Sequence, residues 1–212
     1  MPFTVSDLRP GDIIVSYKKP EWWNFVKKFF NWRVRKYSQR VLGENCVFPH
    51  ATHNRVIEDK IHGIVTGFHW TDPCSTPCEI TDDLVDPSYA LVYRKKKGPL
   101  NPEPLYAFCL KHSGMLYDLG ELVDMDLGTR IFGFGRNHYV CSTGARAAVE
   151  AADGPLDAAI NAVSSEIIPF EKTPPCIWAN LPDIYECINK PSQATRTSAE
   201  LMSPELPRRK AH

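Results

Sequence analysis

The sequence predicts an α+β fold, and three observations support that class. Short runs of β-branched and aromatic residues bounded by turn residues recur along the chain, as at 13–15 and 91–94. An alanine-rich stretch that follows Cys141 has the composition of a helix. The 18 prolines among 212 residues favour a mixed fold with long loops over a helical bundle.

The first strand is predicted at residues 13–15, because Arg-Pro-Gly-Asp at 9–12 forms a turn before an apolar run. Apolar residues at helical spacing predict a helix over 21–36. The next expected elements are short strands at 53–58 and 63–70, a loop at 72–78 and another strand at 89–94.

The second half of the chain is predicted to hold three helices. The first covers residues 103–114 and ends at Gly114, where a left-handed cap is expected. The second begins near Cys141, and its alanines at 145, 148 and 152 leave one face small enough for close packing on a sheet. A last short helix is expected within 177–190. We expect residues 1–190 to form one domain and residues 191–212, which lack aromatic residues, to form a disordered or extended tail.

Composition and charge exclude several classes of protein. Aromatic residues make up 11% of the chain, which excludes a chain that is disordered throughout. The 25 basic residues balance the 25 acidic ones, whereas general nucleic-acid-binding proteins have a basic excess. The residue pattern leads us to expect neither a signal peptide nor a transmembrane segment. We therefore expect a cytoplasmic or virion-associated protein.

The charge is unevenly distributed. The first 40 residues hold nine Lys or Arg against three Asp or Glu, together with Trp22, Trp23 and Trp32. This basic aromatic segment, residues 18–40, contains the helix at 21–36 and forms a helical insertion at about 20–40. It is expected to contact an anionic surface such as lipid, cell wall or nucleic acid, or to pack its aromatic face on the domain.

Cysteine usage points to thiol chemistry. The chain has seven cysteines, an odd number, and a chain without a signal peptide is expected to keep them reduced. Cys141 lies where a loop leads into the alanine-rich helix, and the unpaired N–H groups of a helix N-terminus favour a thiolate and can bind an oxyanion. The alternative is a buried cysteine that only packs. As general base for Cys141 we favour His53, at the start of a strand, over His50 and His138.

Six short motifs support the nucleophile. They are Leu-Arg-Pro-Gly-Asp-Ile-Ile at 8–14, Thr-His-Asn-Arg-Val-Ile at 52–57, Leu-Val-Tyr-Arg at 91–94, Gly-Met-Leu-Tyr-Asp at 114–118, Tyr-Val-Cys-Ser at 139–142 and Asn-Leu-Pro-Asp at 180–183. Their order resembles the circularly permuted branch of the NlpC-type papain-like cysteine hydrolases, in which the histidine strand precedes the cysteine helix. Asn54 and Arg55 depart from this pattern, because Val-Gly usually follows the histidine.

The resemblance implies a papain-like fold, with a small antiparallel sheet or half-barrel packed against helices and the nucleophile at a helix N-terminus. It implies a cysteine hydrolase that cleaves a peptide, peptidoglycan-like or N-acyl amide, or an ester, through an acyl-enzyme on Cys141. His53 would be the base, with His69, or Glu58 as substitute, orienting it. The alternatives are an acyltransferase of the same superfamily and a catalytically silent papain-like binding or structural module, for example in a virion.

One metal site is a further alternative. Cys46, His50, Cys74 and Cys78 offer four ligands at spacings that a structural zinc ion accepts. If zinc is bound, His50 is a ligand and cannot be the base. Otherwise the sequence predicts no cofactor.

Overall fold

The described residues contain six strands that form one antiparallel sheet. The structure is a computed structural model that describes residues 3–17, 25–43, 46, 48, 51–71, 73–118, 120, 123–124 and 138–189. In chain order the strands are β1 Ile13–Ser16, β2 His53–Ile61, β3 Ile64–His69, β4 Thr76–Glu79, β5 Ala90–Lys95 and β6 Tyr185–Cys187. Across the sheet their order is β4-β3-β2-β1-β5-β6.

In the part of the chain that the structure describes, four α-helices have defined bounds, and together with the sheet they confirm the predicted α+β class. They are α1 Phe25–Leu42, α2 Pro102–Lys111, α3 Cys141–Asp153 and α4 Asp157–Val163. The second and third helices pack on each other and on β2. The predicted tail, residues 191–212, lies outside the described residues.

The sequence-based prediction is wrong for one segment and only partly right for a second. Residues 72–78 are predicted as a loop, but β4 begins at Thr76 and pairs with β3 at the edge of the sheet. Pro77 is compatible with this position because an edge strand leaves one row of backbone groups unpaired. The short helix expected within 177–190 is a 3-10 turn, Ile177–Asn180, followed by β6 at the other edge. In both segments, hydrogen bonding to a neighbouring strand stabilises a short strand that the local residue preferences do not predict.

Both faces of the sheet are buried. The core on the helix side contains Val56 and Phe68 together with residues of α2 and α3. The opposite core contains Ile14, Ile57 and Val92, covered by loop residues. The central strands therefore carry continuous apolar runs rather than an alternation of apolar and polar residues.

The described part of α1 is buried only towards its C-terminus. Tyr37, Val41 and Leu42 are in the core, whereas the side chains of Phe29 and Trp32 are 53% and 47% exposed. The predicted residues 21–24 lie outside the described residues, and the helix continues beyond residue 36 to Leu42. Within the described ranges, each helix is too short or too polar to cross a membrane.

Candidate active site

The candidate nucleophile Cys141 is the first residue of α3. Val140 precedes it with an extended backbone and donates its N–H to the Thr143 hydroxyl at 3.1 Å, which stabilises the start of the helix. Sγ of Cys141 lies 3.7 Å from the carbonyl oxygen of Thr52, which is 89 positions away in the chain. The structure therefore places the start of α3 against the start of the predicted histidine strand.

The surroundings of Cys141 act on its pKa in opposite directions. Burial raises the pKa, because the side chain is only 4% exposed and a thiolate loses hydration there. The N–H of Asn54, the hydroxyl of Tyr117 and the N–H of Ser142 donate towards the sulfur and oppose the rise, as does the charge of Arg55. The net direction is upward, so Cys141 is a neutral thiol in this state. The same donors are suited to an anion that forms at this position.

The predicted base and orienting residue lie next to each other. Nε2 of His53 is 3.2 Å from Nδ1 of His69, and the rings meet edge to face with centroids 5.3 Å apart. Burial, with the charges of Arg55 and His69, lowers the pKa of His53 well below its ordinary value. Burial and Arg55 lower the pKa of His69 to about 4. Both imidazoles are therefore neutral at pH 7, one ring donating and the other accepting.

This histidine pair and Cys141 lie on opposite faces of the sheet. Side chains alternate along β2, so His53 shares a face with Ile57, and Asn54 shares the other face with Val56. Val56 and Cys141 belong to the core on the helix side, whereas Ile57 belongs to the opposite core. Within the described residues no hydrogen bond joins Cys141 to His53. Direct proton transfer between them thus stays a prediction.

Asn54 is the polar group that the sequence interpretation noted only as a departure from the family pattern. Its side chain is fully buried, on the same face as Cys141, and neither amide atom has a hydrogen-bond partner among the described residues. A buried amide without partners costs about 1–3 kcal/mol. The sequence alone does not show that Asn54 lies on the helix side of the sheet, because it does not show which face of β2 meets the helices.

No family model, curated protein or solved structure matches this chain. The interpretation of the site therefore depends on its own residues and on the geometry described above.

The residues named as alternatives to the histidine pair lie elsewhere. Glu58 is buried on β2, where burial and Asp59 raise its pKa, and among the described residues it makes no hydrogen bond to either imidazole. Nδ1 of His138 lies 3.3 Å from the carbonyl oxygen of Leu116. His50 lies outside the described residues.

Among the described residues, the alternative zinc ligands do not lie together. Cys74 and Cys78 lie before and within β4, whereas the sulfur of Cys46 is 3.4 Å from that of Cys176. In the part of the chain that the structure describes, no three His, Cys, Asp or Glu side chains are grouped to hold a metal ion. Because His50 falls outside that part, the zinc site stays a prediction.

Proposed function

We propose that this chain is a thiol hydrolase of the permuted papain-like type, which cleaves an amide or ester bond through an acyl-enzyme on Cys141. The contact between Sγ of Cys141 and the carbonyl oxygen of Thr52 carries the proposal, because it joins a helix N-terminus to the residue before His53. The substrate class that goes with this chemistry is a peptide, a peptidoglycan-like peptide or an acyl compound.

In the proposed reaction the Cys141 sulfur attacks the substrate carbonyl carbon, and the carbonyl electron pair moves onto oxygen. The N–H groups of Asn54 and Ser142 and the hydroxyl of Tyr117, which donate towards the sulfur, are the proposed donors to the charge that develops on that oxygen. Collapse of the intermediate breaks the bond to the amine or alcohol, which leaves with the proton taken from Cys141. Water then hydrolyses the thioester and regenerates the thiol.

The proton transfer requires a movement at the start of β2. The ring of His53 faces His69 on the other side of the sheet, so the reaction requires a state of the free protein in which this ring turns towards Cys141. His53 is the first residue of β2 and pairs with Ser16 at the last position of β1, so turning it disrupts only the end of the β1–β2 ladder. His69, on the neighbouring strand, is the proposed orienting residue.

Thiol labelling tests this proposal. We expect chloroacetamide to label Cys141 in the native protein at pH 6 at least about 100-fold faster than Cys109, because an imidazole that takes the thiol proton supplies a thiolate below neutral pH. Cys109 is the matched control, since it is 0% exposed and burial raises its pKa. Mass spectrometry of peptides from timed samples gives the two rates. His53→Ala should abolish the difference, whereas His62→Asn, in the exposed turn after β2, should not.

A catalytically silent binding module is the second candidate function. It is favoured by the burial of Cys141, the upward direction of its pKa and the placement of His53 on the other face. In that case Cys141 and Cys109 react at similar rates, and His53→Ala changes neither. Such a result contradicts the hydrolase. An acyltransferase would give the same labelling as the hydrolase and differ only in the group that accepts the acyl chain.

The exposed part of the basic aromatic segment is the proposed contact with an anionic surface. The guanidinium carbon of Arg33 lies 5.8 Å from the ring centroid of Phe29 and 5.5 Å from that of Trp32. Both rings are about half exposed, and Lys28 is exposed nearby on the same helix. Aromatic rings beside cations are the combination that inserts at the headgroups of anionic lipids. We infer that α1 contacts such a lipid surface.

Trp32→Ala is expected to weaken binding to phosphatidylserine vesicles about tenfold, since burying one exposed aromatic ring contributes about 1.5–3 kcal/mol. Cosedimentation at low and high salt measures this binding, which should weaken as salt rises. Tyr106→Ala is the matched control, because Tyr106 on α2 is 48% exposed. Equal binding by both variants, or no binding by the wild-type protein at low salt, contradicts the lipid contact.

A further inference from the structure

Two thiols outside the candidate active site lie in direct contact. The sulfur atoms of Cys46 and Cys176 are 3.4 Å apart, although the residues are 130 positions apart in the chain. Cys46 follows α1, and Cys176 precedes the 3-10 turn Ile177–Asn180. Neither residue contributes to the chemistry proposed for Cys141.

The two thiols differ in access. Cys46 is partly exposed, whereas Cys176 is 0% exposed. Cys46 is therefore the thiol that an external reagent reaches first, and the buried Cys176 is then in place to attack the Cys46 sulfur.

The surrounding segments are already held together. The Tyr37 hydroxyl donates to the carbonyl oxygen of Lys172, and the N–H of Ser165 donates to the carbonyl oxygen of Val41 at 2.8 Å. These bonds join the C-terminal half of α1 to the chain that leads to Cys176. A sulfur–sulfur bond of about 2.05 Å needs the two sulfur atoms to approach by roughly 1.4 Å from their present separation.

We propose that Cys46 and Cys176 form a redox modification site that accepts a disulfide from a low-molecular-weight disulfide such as oxidised glutathione. The Cys46 thiolate attacks one sulfur of the reagent, forms a mixed disulfide and releases one thiolate. Cys176 then attacks the Cys46 sulfur, loses its proton to the second leaving thiolate and completes the intramolecular bond. The reagent is reduced to two thiols, and the protein dithiol is oxidised to one disulfide.

Treatment of the native full-length chain with oxidised glutathione tests the site. We expect peptide mass spectrometry to show one crosslink, between Cys46 and Cys176, in most molecules. Cys176→Ser should stop the reaction at glutathione attached to Cys46, and Cys46→Ser should react at least about tenfold more slowly at Cys176 than the wild-type protein does. Reduction with excess dithiol should restore both thiols.

Cys109 serves as an internal control that needs no substitution, since it is fully buried and should remain a free thiol throughout. If a serine variant does not fold, differential alkylation of the wild-type protein before and after oxidation gives the same information. The proposal is overturned if glutathione stays on Cys46 in the wild-type protein, or if the crosslink forms only in urea. Neither result bears on the labelling of Cys141.

Discussion

Replacing Gly144 by alanine is expected to destabilise the protein by about 3 kcal/mol or to prevent folding. A Cβ atom added to Gly144 would lie 2.2 Å from Cδ2 and 2.4 Å from Cε2 of the Trp70 ring. The ring has little room to move, because Trp70 is 1% exposed and meets Phe68 edge to face with centroids 5.0 Å apart. The variant must therefore separate α3 from the sheet or force Trp70 from its rotamer.

Helix propensity changes the free energy of unfolding in the opposite direction. The sign of the measured change therefore shows which of the two contributions is larger. Alanine is more favourable than glycine inside a helix by about 1 kcal/mol, so a site without steric conflict would be stabilised. We expect the packing term to be larger, with a net fall in the free energy of unfolding measured by urea denaturation. A variant as stable as the wild-type protein would show that α3 is not in such close contact with Trp70.

Two further variants separate packing from propensity. Ala151→Gly, at an exposed position of the same helix, should cost only about 1 kcal/mol. The double variant Gly144→Ala with Trp70→Leu should lose less free energy of unfolding than the sum of the two single losses, because the smaller side chain leaves space for the new methyl group. Strict additivity of the two substitutions would contradict contact between the residues.

The close packing of α3 follows from the sequence, but its tightest point does not. Alanines at helical spacing predict a small face, and Ala145 and Ala148 are indeed 0% exposed. The steric limit at Gly144 is not visible in this pattern, since it depends on the position of Trp70, which directly follows β3. The local sequence pattern predicts which face of the helix carries small side chains. Contacts with residues far away in the chain determine at which position on that face even a methyl group does not fit.

The face on which His53 lies could not be predicted, for a physical reason. A strand with one buried face alternates apolar and polar residues, and that alternation reveals its orientation. The apolar residues of β1 are all 0% exposed, and so are the adjacent Val56 and Ile57 of β2. Without alternation, a difference of one residue in register moves His53 from the side of Cys141 to the opposite side.

Two motifs that are far apart in the chain, at residues 9–12 and 91–94, are visible in the sequence, but the ion pair between them is not. The turn at 9–12 ends in Asp12, and the strand motif at 91–94 ends in Arg94. In the structure Nε of Arg94 donates to Oδ1 of Asp12 at 2.8 Å, and Nη2 donates to Oδ2 at 2.6 Å. The pairing arises because β1 and β5 are neighbours in the sheet, which no local pattern reports.

Arg94→Ala is expected to lower the free energy of unfolding by about 3 kcal/mol, because it leaves the carboxylate of Asp12 buried without its cation. Asp12 is 2% exposed and Arg94 21%, so water cannot easily replace the guanidinium. The substitution also removes a donor to the carbonyl oxygen of Asp7, at 2.7 Å. Urea denaturation with a common slope gives the loss.

Lys95→Ala is the matched control for Arg94→Ala. Lys95 is the next residue of β5 and pairs with Asp153, and their side chains are 18% and 26% exposed. Because water reaches the Asp153 side chain far better than that of Asp12, the loss should stay below about 1 kcal/mol. Arg94→Lys keeps the charge but not the two parallel hydrogen bonds and should fall between the two alanine variants. Combining Asp12→Ala with Arg94→Ala should cost less than the sum of the single losses, because the double variant leaves no unpaired buried charge. Equal losses for Arg94→Ala and Lys95→Ala would mean that Asp12 reaches water and that the bidentate pair contributes no more than a surface ion pair.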